Sequence, residues 1–129
     1  ILSWGFEPGT TGLIRLGAHT WVGPYNNLRV AGNGSIIIGS RCYISQFCSF
    51  ISHNHGIKRA SPIQLQPNDP DRADIRVGDD VWFGAGCTIL PGARIATGAV
   101  LGAGAVVTKP IPEYEIWAGV PARKIGERN

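Results

Sequence analysis

Charge is scarce in this chain of 129 residues: Asp, Glu, Lys and Arg make up 16%, against 43% hydrophobic residues. That balance excludes a chain held unfolded by its own charge. Methionine is absent altogether, so Ile1 is not expected to be the point where translation begins. No run approaches 18 consecutive apolar residues, which excludes a transmembrane helix, and the first residues lack the basic-then-apolar order of a signal peptide. A soluble, cytoplasmic protein without membrane insertion is expected. Cysteine occurs only at Cys42, Cys48 and Cys87; an odd count with no CxxC pair argues against a disulfide frame and against zinc. Basic runs interleaved with aromatics are also missing, so the net charge of +3 does not point to nucleic acid.

Glycine (18) and proline (9) are plentiful, and the apolar residues keep a strict period. Every sixth residue from Val77 is large and apolar: Val77, Phe83, Ile89, Ile95, Leu101 and Val107. Such residues are about a quarter of the chain, so six hits in one register have a chance of about 3 in 10,000. Small or β-branched residues fill the fifth position of each repeat, at Val81, Cys87, Ala93, Ala99 and Ala105. The rhythm returns upstream at Ile38, Ile44 and Phe50, with Cys42 and Cys48 on fifth positions, and more faintly at Leu16, Val22 and Leu28. The cysteines thus read as small buried packing residues.

A period of six fits neither a helix nor a simple alternating strand. It fits a solenoid in which each unit is one short strand and one turn, and three units close a triangular coil of about 18 residues. Gly, Asn and Asp are expected at the corners, where φ is positive. Residues 1–129 read as one all-β domain of the parallel β-helix class. Its C-terminal cap is expected at about 112–129, because an open solenoid end must be covered.

The repeat breaks once. Phe50 and Val77 are 27 residues apart, which reads as one coil of 18 plus nine, and residues 52–74 carry no apolar column. Long loops in compact domains are usually functional or disordered. This one opens with the sequence SHNHG at 52–56, and imidazole exchanges protons near neutral pH, so His53 and His55 are candidates for a general base. A polar turn with two surface histidines would carry the same letters; their concentration at the single defect favours function. Asp69, Asp71, Asp74, Asp79 and Asp80 cluster in and after the loop, whereas Lys109, Arg123, Lys124 and Arg128 make the C-terminal region basic, as suits a small phosphorylated ligand.

Residues 81–92 (VWFGAGCTILPG), 101–109 (LGAGAVVTK) and 118–123 (AGVPAR), with Asn54-His55-Gly56, resemble the hexapeptide-repeat acyltransferases of the sugar or polysaccharide O-acetyltransferase and xenobiotic acetyltransferase type. The resemblance spans roughly residues 28–126 and implies that the β-helix is left-handed. It also implies a homotrimer with active sites between neighbouring prisms, acetyl-CoA as co-substrate and no metal. The family's catalytic histidine falls on His55, with His53 as an assistant. The cofactor-binding pattern falls on Trp82, on the amides of Ala85 and Ala103, and on Thr108, Lys109, Arg123 and Lys124. Asn27 falls where sugar-acetylating relatives bind the acceptor, although a corner asparagine also suits a turn.

The resemblance implies transfer of acetyl from acetyl-CoA to a sugar or polysaccharide-precursor hydroxyl. An amino sugar acetylated on nitrogen, or an antibiotic, is the nearest alternative. A γ-carbonic-anhydrase-like metal enzyme would need all three histidines around zinc, yet His19 lies far from His53 and His55 in the sequence. A non-catalytic scaffold would bind no acetyl-CoA.

Overall fold

The computed structural model describes residues 11–69 and 73–129, together with the backbone of a strand at 3–6. Residues 1–2, 7–10 and 70–72 lie outside the described residues, and with them Asp71.

After β1 (Ser3–Phe6), the chain winds coils of three short strands. The first holds β2 (Ile14–Leu16), β3 (Trp21–Val22) and β4 (Asn27–Val30). The second holds β5 (Ile36–Ile38), β6 (Tyr43–Ile44) and β7 (Ser49–Ser52). A protruding hairpin follows, made by β8 (Asn54–His55) and β9 (Asn68–Asp69) with a single 3-10 turn at Ile63–Leu65 between them. The third coil is β10 (Ile75–Val77), β11 (Trp82–Phe83) and β12 (Thr88–Ile89); the fourth is β13 (Arg94–Ile95), β14 (Val100–Leu101) and β15 (Val106–Val107). The chain ends in β16 (Glu115–Ala118) and β17 (Arg123–Glu127).

Equivalent strands pair in parallel up the molecule and form three faces. Face 1 is β2-β5-β10-β13, face 2 is β3-β6-β11-β14-β16-β17, and face 3 is β1-β4-β7-β12-β15. In the lower coils the register repeats every 18 residues, Trp82 lying beside Val100 and Thr88 beside Val106. Inward side chains therefore stack in columns, and Phe50, Phe83, Ile89, Leu101 and Val107 are almost completely buried. Phe50 meets Phe83 edge to face at 5.1 Å. Burying each such side chain contributes about 1.5–3 kcal/mol.

The cysteines sit inside the prism as small spacers, and their thiols donate to turn carbonyls one coil on. Cys42 bonds Gly78 O, Cys48 bonds Gly84 O and Cys87 bonds Gly102 O, each at 3.3 Å. The neighbouring Cys48 thiol and burial push the Cys87 thiol up, and burial does the same to Cys42, so both remain neutral and unreactive.

Four readings of the sequence change. No coil lies between Phe50 and Val77: β7 on face 3 is followed directly by β10 on face 1. In the next coil the same step, from β12 to β13, takes six residues between Ile89 and Ile95. The extrusion is therefore about 21 residues rather than nine. The upper coils are also longer, Ile14 pairing with Ile36, because four extra residues enter at the corner after β4.

The corners are not reserved for Gly, Asn and Asp either. His19, Tyr25, Arg41, Phe47 and Tyr114 adopt φ near +60°, along with Asp80, Gly86, Gly98 and Gly104. A bulky residue there costs about 1–2 kcal/mol. Stacking with the next corner offsets it: the Tyr25 and Phe47 rings lie parallel at 5.2 Å, and Arg128 sits 5.8 Å from the Tyr114 ring centre. Finally, the C-terminal cap begins within the prism. β16 continues face 2 in parallel with β14, and β17 turns back antiparallel to it. Arg128 ties the end down by an ion pair to Asp80 at 2.9 Å.

Where the chain re-enters from the hairpin, Asp74 binds Arg94 at 3.1 Å and Arg76 at 3.3 Å. Burial opposes ionisation of Asp74, but the Arg94 hydrogen bond and the charges of Arg94 and Arg76 outweigh it and hold the carboxyl below its ordinary 3.8. The stability this contributes is present above that ordinary value and is lost as pH falls through the lower value of the folded state. In urea titrations from pH 6 to pH 2, Asp74→Asn is expected to be less stable than the parent at pH 6 and to converge on it at the acid end.

Candidate active site

The extruded segment leaves face 3 at Ser52, returns to face 1 at Ile75, and is closed at its stem by the pairing of Asn54 with Asp69 and His55 with Asn68. Gln66 clasps the loop beyond the stem. Its side-chain oxygen accepts from the Lys58 amide at 2.8 Å, and its Nε2 donates to the carbonyls of Lys58 and Ser61, both at 2.8 Å. Each such bond contributes about 0.5–1.5 kcal/mol. Gln66→Ala is expected to speed amide exchange at Lys58 about tenfold while protection in the prism stays as it was, which hydrogen-exchange mass spectrometry reads directly.

His55 projects from β8 and is exposed; its Nδ1 lies 3.4 Å from Gly56 O. In the tautomer with its proton on Nδ1, the ring can donate to this carbonyl while Nε2 is left to accept. His53 is half-buried beside it. Both line a cleft of about 520 Å³ whose other walls include Arg29, Gln66 and Asn68. The hairpin separates it from a second cleft of about 500 Å³, lined by Asn54 and Asp69 above and by Pro91, Thr108 and Lys109 below.

The remaining candidates are spread around the prism. Trp82 is half-exposed on face 2, its indole N–H donating to Ser45 Oγ at 3.4 Å. Ala85 and Ala103 occupy successive coils at the corner between faces 2 and 3. The Gly84 and Gly104 amides are spent between the third and fourth coils, on Leu101 O and Ala85 O at 2.8 Å, whereas the Ala85 and Ala103 amides bond no backbone carbonyl of the described residues. Two backbone donors at one corner suit an extended amide chain. Thr108 and Lys109 lie at the corner between faces 3 and 1. Arg123 is exposed on β17, but Lys124 is gripped by Glu115 at 2.9 Å and Glu127 at 2.5 Å, and these two carboxylates raise its pKa. Most of its charge is answered inside the cap.

Asn27 points outward on β4, in register with Ser49. The turn role belongs instead to Asn26, which is buried, donates to Gly23 O at 2.9 Å and accepts from the Cys48 amide at 2.7 Å. Arg29 and Gln66 were not singled out from the sequence. Arg29 alternates with buried Leu28 and Val30, a period-two signal that marks it as outward beside Asn27. Gln66 left no such mark. His19 stands at the corner between faces 1 and 2, away from the histidine cleft, and no group of three or more His, Cys, Asp or Glu among the described residues is placed to hold a metal. No helix of the described residues is long and apolar enough to cross a membrane.

Residues 74–109 match the family model described as bacterial transferase hexapeptide (six repeats). The putative lipopolysaccharide biosynthesis O-acetyl transferase WbbJ of Escherichia coli (strain K12) is 35% identical over 108 residues, covering 79% of this chain and 55% of WbbJ. A chloramphenicol acetyltransferase of Morganella morganii is 36% identical over 108 residues, 72% of this chain and 51% of that protein. The structure of galactoside acetyltransferase in complex with coenzyme A superimposes with a TM-score of 0.68 at 28% identity, covering 89% of this chain and 65% of that one. The chain belongs to the hexapeptide-repeat transferase family, and its prism is a left-handed parallel β-helix. It spans about half the length of the curated relatives it matches.

Proposed function

We propose that this chain is the β-helical domain of an acetyl-CoA-dependent O-acetyltransferase whose acceptor is a hydroxyl of a sugar or polysaccharide precursor. The observation that carries the reading is the placement of His55 over a cleft, on the longest segment that leaves the solenoid among the described residues. Nε2 takes the proton of the acceptor hydroxyl as that oxygen attacks the thioester carbonyl. The carbon–sulfur bond then breaks, and the departing CoA thiolate recovers the proton from the imidazolium. No acyl-enzyme is formed. His53 assists from the same cleft. The Ala85 and Ala103 amides receive the pantetheine amides, and Thr108, Lys109 and Arg123 serve the far end of CoA, Arg by its planar fork. Trp82 lines the thioester end.

Within one prism His55 lies at the edge of face 3 and Trp82 on face 2. A homotrimer would set the hairpin of one copy against face 2 of the next and complete the site. The half-exposed apolar ladder of Trp21, Tyr43 and Trp82, with Trp21 and Tyr43 stacked at 4.6 Å, supports face 2 as a covered surface.

The test is thiol release from acetyl-CoA in the presence of hydroxyl sugars, amino sugars and chloramphenicol, with the mass in solution measured by light scattering. Acceptor-dependent release from a particle of roughly three times 13.8 kDa is expected. Release with amino sugars alone would make the enzyme an N-acetyltransferase. Release with chloramphenicol alone would favour the second reading, an antibiotic-modifying enzyme, which the Morganella relative supports. No release with any acceptor would overturn the proposal.

A further inference from the structure

The tip of the hairpin puts apolar and basic side chains together in the open. Ile57 is 82% exposed and Leu65 76%, more than any other large apolar side chain of the described residues, and Ile63 is 58% exposed. The exposed rings of the prism lean on one another, Trp21 on Tyr43 and Tyr25 on Phe47; these aliphatic chains stand out alone. Lys58 and Arg59 follow Ile57 directly, and among the described residues neither side chain makes an ion pair, Gln66 holding Lys58 through its backbone only. From His53 to Asn68 the chain carries no Asp or Glu. Ile57, Lys58, Ala60 and Leu65 line one hollow of about 580 Å³, and the Gln66 clasp keeps that shape.

Resting on the acetyltransferase reading above, we infer that this tip seats on an anionic lipid surface, and that the acceptor saccharide is presented there on a membrane lipid. Anionic headgroups over acyl chains satisfy unpaired cations and bare aliphatic side chains at once. A soluble anion would answer the cations and leave the aliphatic chains in water. A second copy of this chain would do the reverse. On the prism Asp74, Asp79, Asp80, Glu115 and Glu127 are already paired with arginines or with Lys124, which leaves Glu113. The aromatic ladder of face 2 has Arg41 and Arg128 beside it, of the same sign as the tip. In the homotrimer proposed above, the stem that carries His55 meets face 2 and the tip stays clear of it. The contact is shallow and reversible, since it rests on a few side chains of a loop and on two cations, each worth about fivefold in partitioning.

The test sediments the protein with vesicles of phosphatidylcholine alone and with vesicles of equimolar phosphatidylcholine and phosphatidylglycerol. The parent is expected to partition onto the mixed vesicles at least tenfold better, and to come off as salt is raised. Two double variants separate the contributions. Lys58→Gln with Arg59→Gln is expected to lose about twentyfold in partitioning, and Ile57→Ser with Leu65→Ser at least tenfold. Thiol release with a soluble sugar should be the same in both as in the parent, whereas a glycolipid in the mixed vesicles should be acetylated at least tenfold faster by the parent. Equal partitioning of the parent onto the two kinds of vesicle, or onto neither, would overturn the inference. So would parental partitioning by either variant, or equal use of the glycolipid by parent and variants. A lower particle mass by light scattering in the Ile57→Ser, Leu65→Ser protein would make the tip a contact between copies, and would overturn it too. If neither sugar nor glycolipid supports thiol release, the acetyltransferase reading fails, while sedimentation still decides whether the tip binds an anionic surface.

Discussion

His55→Ala is expected to lower kcat for acetyl transfer about a thousandfold, within the range of 10² to 10⁴ that a positioned general base supplies. The melting temperature should hardly move. His55 stands on a hairpin outside the prism, is exposed, and its ring contact is a long one to Gly56 O at 3.4 Å, so its removal opens no cavity and strands no buried partner. KM for acetyl-CoA should also hold, because the residues proposed for CoA lie at other corners. A loss confined to kcat is the signature of a group that acts in the transition state alone. His53→Ala is the comparison. A half-buried assistant should cost about tenfold, and its ring leaves space behind it in the cleft wall. Stopped assays of both variants, with melting curves alongside, separate the roles. Full turnover by His55→Ala would move the base elsewhere, with His53 the next residue to test.

The sequence made the prism legible because the inward columns are a mechanical consequence of the period. Once each turn takes six residues, Val77, Phe83, Ile89, Ile95, Leu101 and Val107 must all point the same way relative to the axis, and all are buried. The same counting misjudged the break. A register that repeats every six residues cannot distinguish a coil plus nine from a single step plus 21, since both bring Phe50 and Val77 to equivalent inward positions.

Other features depend on contacts that no spacing records. Phe47 and Tyr114 hold left-handed corners because a neighbouring side chain stacks on each. From the sequence Lys124 is one of several cations near the C-terminus that the resemblance assigns to the cofactor. Glu127 is its neighbour on β17, and the second carboxylate partner, Glu115, appears once β17 folds back on β16. The candidate base His55 drew notice for the opposite reason: a histidine in the long break of the repeat needs no partner to be noticed.

The stability of such a stack resides in nearest-neighbour contacts, so a single methyl at the wrong corner should be costly, and two glycines allow structural cost to be told from functional cost. A Cβ at Gly39 would lie 2.5 Å from Gly78 O and 2.6 Å from Gly78 C; at Gly84 it would lie 2.6 Å from the Ala103 nitrogen and 2.9 Å from Leu101 O. Backbone cannot swing aside as a side-chain tip does, so in each variant adjacent coils must part. Gly39→Ala and Gly84→Ala are each expected to lose about 2–3 kcal/mol, the usual range for overpacking, and about 10 °C in Tm. Gly104→Ala is the control, with nothing within 4 Å of its Cβ and only the strain of φ +74°; it should lose about 1–2 kcal/mol. The two crowded variants should differ in function. Parting the coils at Gly39 opens the corner between faces 1 and 2, remote from the amides proposed for pantetheine, so KM for acetyl-CoA should stay near the parent value. At Gly84 the atom displaced is the Ala103 amide itself, and a donor moved by several tenths of an ångström loses much of its bond. Gly84→Ala should therefore raise KM for acetyl-CoA about tenfold. Equal melting losses with equal KM values would mean that the Ala103 amide does not touch the cofactor.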